Sequence, residues 1–450
     1  MTRLFGTDGV RGIANKELTP DLAFRLGFAG AQVLTGEISH RPIILVGTDT
    51  RISCGMLESA LVAGITSAGA DAFLAGVVPT PGIAYLTRKY NCDAGVMISA
   101  SHNSYEYNGI KFFASTGYKL PDEIEDQIEQ VIYEYKEDVS RPIANMIGHR
   151  IQKPNSARDY AEHLKRRMSV DLSGMKIALD CANGASFHIA PGIFADLGAD
   201  VVSIGIEPDG ENINLNCGST NLTRLGHTVR REGCDIGIAF DGDADRMLAI
   251  DENGTMIDGD GIIAIIAKGM KDRDILRDGK VCVTVMSNLG FDIFADQIGI
   301  TVHKAQVGDR YVLEEMLKSG IVLGGEQSGH IILLEHTTTG DGLLSALALL
   351  KTLKLSDQRL SEARLIMKPL PQVLKNAQIA NERKKTAMED EDVKKAIAQE
   401  EARLKNKGRI LVRPSGTEPL IRVMIEGEDK KEINIMADRL IDLLTSRYGI

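Results

Sequence analysis

The chain has 450 residues, of which 43% are hydrophobic and 25% are charged, and its formal net charge is −10. This composition is typical of ordinary globular proteins, and the length predicts about three or four domains. The acidic balance argues against nucleic-acid binding, and no apolar run is long enough to span a membrane.

Six cysteines occur without any CxxC pair, and the N-terminal residues lack the apolar core of a signal peptide. We therefore expect free thiols and a cytoplasmic location. An acidic protein that handles a phosphorylated molecule must concentrate its cations locally, so arginines and lysines in loops are informative.

The first predicted unit alternates strands, loops and helices. Residues 5–12 form a glycine-rich loop whose Arg11 either faces an anion or is merely solvated in a β-turn. A second loop, at residues 47–53, carries hydroxyls and Arg51. We predict helices at residues 18–35, 56–68, 82–88 and 121–135, and strands at residues 43–46 and 71–74.

The most informative stretch of this unit is residues 95–111. An apolar strand leads into Ser99, Ser101 and His102, and a hydroxyl at the end of a buried strand can act as a nucleophile or carry a phosphoryl group. A polar turn or helix cap is the alternative. We expect His102 to be badly placed as a general base for its neighbour Ser101. Asn108-Gly109 predicts a turn before a strand at residues 110–113.

A charged segment with two prolines precedes a second strand–helix unit, so we place a domain boundary near residue 155. Helices are predicted at residues 159–167 and 222–232, and strands at residues 176–180, 199–204 and 236–240.

Three carboxylates follow the last of these strands at alternate positions, Asp241, Asp243 and Asp245, with Arg246 next. They can converge on a hard cation such as Mg²⁺. An EF-hand loop is an alternative, but Arg246 stands where that loop needs glycine. A second alternative is an aspartate nucleophile of the haloacid-dehalogenase type.

A strand at residues 247–251 follows the aspartates. A third unit has predicted strands at residues 280–285, 302–306 and 321–323, and helices at residues 260–270 and from about 342 to 355. Its loop with Glu326, Ser328 and His330 offers a carboxylate, a hydroxyl and an imidazole that suit sugar hydroxyls, although such a loop can also be merely solvated.

The last segment differs in character. Residues 381–407 predict solvated helical faces, followed by strands at 409–412 and 420–426 and a helix at 432–447. The loop between the strands either is a simple turn or surrounds a phosphate with hydroxyl, guanidinium and main-chain donors. Its candidate residues are Arg413, Ser415, Gly416, Thr417 and, on the next strand, Arg422.

The fold class that follows is α/β, with three similar α/β domains containing mainly parallel mixed sheets and a smaller C-terminal α+β domain. We expect domain boundaries that give residues 1–155, 156–254, 255–367 and 368–450.

Two motifs in combination, Ser101-His102-Asn103 with Asn108-Gly109-Ile110-Lys111, and Asp241-Gly242-Asp243-Ala244-Asp245-Arg246, resemble the phosphoserine and metal loops of the α-D-phosphohexomutases. The resemblance spans essentially the whole chain. Departures are Ser104, where proline is common, and Asn221, where histidine is common.

The resemblance implies a phosphoserine at Ser101 and Mg²⁺ held by Asp241, Asp243, Asp245 and a phosphoserine oxygen. It further implies charge neutralisation by Arg11, Arg246 and Lys111, with Lys111 and His330 as candidate proton-transfer groups. Glu326 and Ser328 match the positions that grip the sugar ring, and residues 413–417 match the phosphate loop.

Within the family, the chain most resembles the bacterial members that interconvert glucosamine 6-phosphate and glucosamine 1-phosphate for UDP-N-acetylglucosamine and cell-wall synthesis. Residues 212–214, 217–220 and 285–290, and especially Gln327, carry this resemblance. It implies a sugar phosphate as partner, glucosamine 1,6-bisphosphate or a similar sugar bisphosphate as activator, and a homodimer.

Three alternatives remain at this stage: a phosphomannomutase or phosphoglucomutase with the same machinery, a Mg²⁺-dependent sugar phosphatase, and a sugar-phosphate-binding protein. The last would need neither Ser101 nor the three aspartates.

Overall fold

The computed structural model describes residues 3–6, 8–35, 39–135, 141–405, 407–415 and 418–450. Contacts divide the chain into two compact units, Met1–Met286 with Gly299–Ile366, and Ser287–Ile298 with Met367–Ile450. All six cysteines are buried free thiols. Within the described ranges, no helix combines the length and apolarity needed to cross a membrane.

The first sheet has the strand order β1-β5-β4-β2-β3-β6. Strands β4, β2, β3 and β6 run parallel, while β5 pairs antiparallel with both β4 and β1. The elements are β1 (Val10–Ile13), α1 (Pro20–Thr35), β2 (Ile43–Thr48), α2 (Cys54–Ser67), β3 (Asp71–Val77), α3 (Thr80–Lys89), β4 (Ala94–Ile98), β5 (Tyr107–Ala114), α4 (Asp122–Glu134) and β6 (Arg150–Gln152).

Two local predictions in this region were wrong. Part of the presumed loop at residues 5–12 is strand β1, in which Arg11 pairs with Gly109 of β5. The Asn108-Gly109 pair is therefore inside a strand rather than in a turn. Its glycine serves a close approach instead, because a Cβ on Gly109 would lie 2.6 Å from the carbonyl oxygen of Ser99.

The second sheet has the order β11-β10-β9-β7-β8. Strands β9, β7 and β8 are parallel, and β10 returns antiparallel to β9 with Phe240 opposite Met247. Residues 241–246 are thus the connection between two neighbouring strands. The elements are α5 (Ser156–Arg167), β7 (Lys176–Asp180), α6 (Ala190–Asp196), β8 (Asp200–Ile204), α7 (Thr223–Glu232), β9 (Ile236–Phe240), β10 (Met247–Asp251) and β11 (Met256–Ile257).

The third sheet has the order β13-β12-β14-β15, with only β15 antiparallel to its neighbour. The strand predicted at residues 321–323 overlaps β14 only at Leu323. The N–H of Ile321 donates to the carbonyl of Met316 and closes the preceding helix, so the ladder begins later. The elements are α8 (Gly259–Asp272), β12 (Lys280–Thr284), α9 (Leu289–Ile298), β13 (Thr301–Ala305), α10 (Asp309–Ser319), β14 (Leu323–Gly325), β15 (Ile331–Leu333), α11 (Gly342–Ser356) and α12 (Leu360–Ala363).

The second unit contains α9 and an antiparallel sheet of order β16-β18-β17. Buried residues of β18, including Ile421, Val423 and Ile425, pack with Met436 and Leu440 of the last helix. This confirms the predicted fold class of three mixed α/β sheets and a smaller α+β domain. The elements are β16 (Gln372–Gln378), α13 (Asn381–Glu389), α14 (Glu391–Arg403), β17 (Gly408–Pro414), β18 (Leu420–Gly427) and α15 (Lys430–Tyr448).

The start of α11 packs directly on the connection 241–246. The carboxylate of Asp341 caps the helix by accepting from the N–H of Leu344 at 2.9 Å, and it also accepts from the hydroxyl of Tyr160 at 2.7 Å. The N–H of Gly342 donates to the carbonyl of Ala244 at 3.0 Å. A Cβ on Gly342 would lie 2.5 Å from the carbonyl oxygen of Arg246, so only glycine permits this approach.

Asp341 makes the stability of the fold depend on pH. Burial raises the pKa of its carboxyl to about 6, against the hydrogen bonds from Leu344 and Tyr160 that lower it. The folded state therefore holds this proton more tightly than the unfolded state, and the stabilisation is lost as pH rises through about 6. Between pH 5 and pH 7, we expect the free energy of unfolding to lose about 1 kcal/mol relative to Asp341→Asn.

Urea unfolding of both proteins at the two pH values measures this difference. Asp272→Asn is the matched control, because Asp272 is an exposed residue near the end of α8. If the free energies of unfolding of the unaltered protein and Asp341→Asn differ by the same amount at pH 5 and pH 7, the pKa of Asp341 is not raised in the folded state.

Candidate active site

Ser101 lies just after β4 in a strained, buried turn. Its φ is 54°, a left-handed conformation that is unfavourable for a residue with a side chain, and only 1% of the residue is exposed. Its N–H donates to the hydroxyl of Ser99 at 3.0 Å, and its own Oγ donates to Oδ2 of Asp241 at 2.7 Å. The predicted hydroxyl and the first predicted carboxylate are therefore in direct contact.

His102 is closer to the hydroxyl than we expected, since its Nδ1 lies 3.3 Å from Oγ of Ser101. That His102 is poorly placed as a general base for Ser101 stays a prediction. Burial, together with the charges of Arg246 and Arg11, lowers the pKa of His102 to about 4. The ring is therefore neutral at physiological pH.

Arg51 holds the Ser101 loop in place. Its guanidinium forms a fully buried ion pair with Asp49 at 2.9 Å. It donates to the carbonyl oxygens of Ser101 at 2.9 Å, Asn103 at 3.0 Å and Ser104 at 2.6 Å. Sequence reasoning noted an arginine in this loop but not this role, because its partners are main-chain atoms distant in sequence.

The three predicted aspartates converge. One carboxylate oxygen from each of Asp241, Asp243 and Asp245 lies within 4.8 Å of the others, and all three residues are buried. Oδ1 of Asp243 and Oδ1 of Asp245 are buried with no hydrogen-bond partner in the described part of the chain. Burial raises the pKa of Asp241 well above its usual range, and Asp245 and Asp243 raise it further.

This arrangement fits a divalent cation. The cluster is all oxygen, it has unpartnered lone pairs, and its like charges repel in a buried place. A hard cation is the species that satisfies all three conditions, and it would lie beside the Ser101 hydroxyl.

Lys111 extends from β5 into the same cluster. Its Nζ lies 2.8 Å from Oδ2 of Asp243 and 2.9 Å from Oδ2 of Asp8. Burial lowers the pKa of Lys111, but the carboxylates of Asp243 and Asp8 raise it more, so the net shift is upward. The group is therefore a fixed cation. Thr80, at the start of α3, also donates to Oδ2 of Asp243, at 2.6 Å.

Arg11 joins the cluster through Asp8, with which its guanidinium forms an ion pair. Sequence reasoning predicted Arg11 and Lys111 but missed Asp8 and Thr80. The signal for Asp8 was present, since it stands in the same glycine-rich segment as Arg11, but a lone carboxylate there has no distinctive spacing.

Arg246 ends the connection 241–246, and its main chain forms an isolated β-bridge with that of His330. His330 is buried, with Nδ1 3.5 Å from Oδ2 of Asp245 and Nε2 accepting from the N–H of Gly340 at 3.1 Å. Burial lowers the pKa of His330, but Asp245 and Asp309 raise it above its ordinary value. Nε of Arg246 lies 3.8 Å from Asp245.

The loop between β14 and β15 carries Glu326 and Ser328. Oε1 of Glu326 accepts from the N–H of Gly308 at 3.1 Å, and the exposed Ser328 lies with its hydroxyl 3.4 Å from Oε2 of Glu326. Gln327 donates to Asp258 at 3.1 Å. Met247 directly follows the connection 241–246. Its N–H donates to the carbonyl of Gly329 at 3.0 Å, which links the two segments.

The second unit holds the predicted phosphate-binding residues. Arg413 and Arg422 stand directly opposite each other on β17 and β18, an unfavourable placement for like charges. Nε of Arg422 is buried without a hydrogen-bond partner among the described residues. Burial lowers the pKa of Arg413, and Arg422 lowers it further. This pair is suited to an anion. Gly416 and Thr417 lie outside the described residues.

We expect Mg²⁺ to stabilise the fold through the aspartate cluster. A cation present at about 100 times its Kd adds about 2.7 kcal/mol, and calorimetric titration with a thermal melt measures both quantities. Asp243→Asn should weaken binding and reduce the melting shift, whereas Asp272→Asn should change neither. Equal shifts for the unaltered protein and Asp243→Asn would place the cation elsewhere.

Removing Arg51 should be strongly destabilising, because it leaves Asp49 as an uncompensated buried charge. We expect Arg51→Met to lower the free energy of unfolding by about 3–5 kcal/mol. The exposed Arg231→Met is the matched control and should stay within about 0.5 kcal/mol of the unaltered protein. If chemical unfolding shows that Arg51→Met lowers the free energy of unfolding by less than about 1 kcal/mol, Arg51 does not hold the Ser101 loop as described.

Four family models match the chain in succession. They describe the phosphoglucomutase/phosphomannomutase α/β/α domain I at residues 2–139, domain II at 158–254, domain III at 258–369 and the C-terminal domain at 374–443.

Similar curated proteins include the phosphoglucosamine mutase of Ruminiclostridium cellulolyticum, 57% identical over 449 residues with 100% of both chains covered. That of Clostridium kluyveri is 58% identical over 445 residues, with 99% of both chains covered.

Among solved structures, a phosphoglucomutase/phosphomannomutase family protein from Burkholderia thailandensis has a TM-score of 0.81 at 21% identity, covering 100% of this chain and 99% of that one. The N-acetylphosphoglucosamine mutase of Aspergillus fumigatus, in complex with GlcNAc-6P and magnesium, has a TM-score of 0.69 at 16% identity, covering 99% and 96%. These two likenesses show the fold. The family models and the full-length relatives confirm the resemblance found in the sequence: the chain belongs to the phosphoglucomutase/phosphomannomutase family.

Proposed function

We propose that this protein interconverts glucosamine 6-phosphate and glucosamine 1-phosphate through a phosphorylated Ser101 and a bisphosphorylated sugar. The observation that carries the chemistry is the buried Ser101 hydroxyl 2.7 Å from the first carboxylate of a converging aspartate cluster. The choice of sugar is supported by relatives that are 57–58% identical over the full length and are named phosphoglucosamine mutases.

In the first half-reaction, the C1 hydroxyl of glucosamine 6-phosphate attacks the phosphorus on Ser101. The new O1–P bond forms, the Oγ–P bond breaks, and the hydroxyl proton is released. Oγ takes up a proton as it leaves, and the positive charges of Lys111, Arg11 and Arg246 stabilise the negative charge that develops in the transition state. Their carboxylate partners hold these cations in place before the sugar arrives.

The cation site belongs to the same proposal. Asp241, Asp243, Asp245 and a phosphoserine oxygen would hold Mg²⁺, which when bound withdraws charge from the transferring phosphoryl group. The unpartnered oxygens of Asp243 and Asp245 support this assignment.

In the second half-reaction, the bisphosphorylated sugar has turned end for end. The Ser101 hydroxyl loses its proton as the Oγ–P bond re-forms, the O6–P bond breaks, and O6 takes up a proton, which leaves glucosamine 1-phosphate. Atoms and charge therefore balance over the cycle. A chain whose Ser101 is unphosphorylated needs a sugar bisphosphate, such as glucosamine 1,6-bisphosphate, to enter the cycle.

Two groups are suited to the proton transfers, with unequal support. Asp243 and Asp8 hold Lys111 in its charged form, so Lys111 is better suited to stabilise negative charge than to accept a proton. Nε2 of the buried His330 accepts from the N–H of Gly340, so Nδ1 carries the ring proton, 3.5 Å from Oδ2 of Asp245. We therefore propose His330 as the acid–base group and Lys111 as the electrostatic one.

Turning the sugar requires a site that accepts two poses and a separate site for the phosphate that is not reacting. We propose that Glu326 and Ser328 bind the sugar hydroxyls in both poses. We propose Arg413, Ser415, Gly416, Thr417 and Arg422 as the site for the other phosphate, which the opposed Arg413–Arg422 pair supports. We propose the domains 1–155, 156–254, 255–367 and 368–450, and the four family matches support this division.

A coupled assay for glucosamine 1-phosphate, with Mg²⁺ and catalytic sugar bisphosphate, tests the proposal. Ser101→Ala should lower kcat by more than about 1,000-fold, because no other group can carry the phosphoryl intermediate. The matched control is Ser59→Ala, an exposed serine of α2, which should retain activity.

Glucose and mannose phosphates run in parallel test the sugar. A clear preference for either would keep the mechanism and overturn the specificity. Release of inorganic phosphate without isomer formation would indicate a phosphatase instead.

A further inference from the structure

Lys119 lies between two carboxylates from distant parts of the sequence. It follows β5, where its main chain bridges back to Phe113, and its Nζ forms ion pairs with both Asp8 and Asp309. The side chains of Lys119, Asp8 and Asp309 are only 16%, 12% and 16% exposed. Such shielded charges interact far more strongly than surface pairs.

Asp8 connects Lys119 to the phosphoryl-transfer cations. Its Oδ1 faces Lys119, while its Oδ2 faces Nζ of Lys111 at 2.9 Å and the guanidinium of Arg11. Lys111 in turn contacts Asp243 of the metal cluster. A rotation of the Asp8 carboxylate would therefore move both cations that face the transferring group.

Asp309 connects Lys119 to the sugar side. It is the first residue of α10, and its Oδ2 lies 3.7 Å from Nε2 of His330. The N–H of Gly308, immediately before it, donates to Oε1 of Glu326 at 3.1 Å. The position of Asp309 therefore determines where the donor to the sugar-binding carboxylate lies.

Without Lys119, Asp8 and Asp309 would be two close carboxylates of like charge, and their repulsion would separate the segments that carry them. We propose that Lys119 is a positioning residue for phosphoryl transfer, which fixes the distance between the cations around Ser101 and the sugar loop. This inference rests on the mutase function proposed above. A near-attack geometry tolerates displacements of less than about 1 Å before the rate falls by about 100-fold, so the charge of Lys119 should affect kcat.

The competing explanation is an ion pair that only stabilises the fold. It predicts that variants lose activity in proportion to the unfolded fraction and that stability and kcat change together. A positioning role instead predicts a fall in kcat in protein that remains folded, and recovery of kcat when a cation is restored.

The experiment compares kcat and KM for glucosamine 6-phosphate, with the melting temperature, in Lys119→Met, Lys119→Arg, Asp309→Asn and the double variant Lys119→Met/Asp309→Asn. Lys268→Met, which removes an exposed i,i+4 partner of Asp272 in α8, is the matched control. We expect kcat to fall by about 10- to 100-fold in Lys119→Met and by about 10-fold in Asp309→Asn, with recovery to within about threefold in Lys119→Arg.

The double variant should lose less than the product of the two single losses, because the two residues act through one contact. Asp309→Asn and Lys119→Arg preserve volume and test the proposal even if Lys119→Met does not fold. The inference is overturned if Lys119→Met and Asp309→Asn keep kcat within about twofold of an active unaltered protein, or if kcat falls only with the folded fraction. Absence of mutase activity in the unaltered protein would overturn the proposed function, and this inference with it.

Discussion

The rest of this structure depends on one constraint, the burial of several carboxylates of like charge close together. Asp241, Asp243 and Asp245 are buried within 4.8 Å of one another and beside the Ser101 hydroxyl. Such a cluster is stable only if positive charge surrounds it. The chain supplies that charge from separate segments, through Lys111 of β5 and Arg246 of the metal connection itself. The unpartnered oxygens leave room for a cation in addition.

The architecture explains how distant residues reach this cluster. The Ser101 loop, the connection 241–246 and the loop of Glu326 each follow the end of a buried strand, one in each α/β sheet. A close approach at Gly109 lets β5 pack against the main chain of Ser99, and another at Gly342 brings the start of α11 to the connection 241–246; any side chain at either glycine would meet a carbonyl oxygen. Arg51 then holds the Ser101 loop through its main-chain carbonyl oxygens, and the N–H of Gly342 holds the connection 241–246 through the carbonyl of Ala244. Buried main-chain contacts thus hold the geometry of the candidate site.

The sequence predicted the parts of the site that have a distinctive local pattern. Alternating aspartates after one apolar strand, and a serine-rich turn after another, predicted the carboxylate cluster and the hydroxyl beside it, and the alternation of strands and helices predicted the fold class. Partners whose role depends on long-range contacts were missed. Asp8, Thr80 and Lys119 are ordinary residues in sequence, and their contacts appear only when the fold brings them to Lys111, Asp243 and Asp309, respectively. The Asn108-Gly109 turn failed for a similar reason, because tertiary pairing with β1 overrode a local turn preference.

The most direct test of this account is to map the phosphate on the protein after incubation with Mg²⁺ and glucosamine 1,6-bisphosphate, using peptide mass spectrometry. The account predicts one phosphorylated residue, Ser101, and loss of that phosphate to the sugar when glucosamine 6-phosphate is added. Phosphate on another residue, or phosphate on Ser101 that glucosamine 6-phosphate cannot remove, would contradict it.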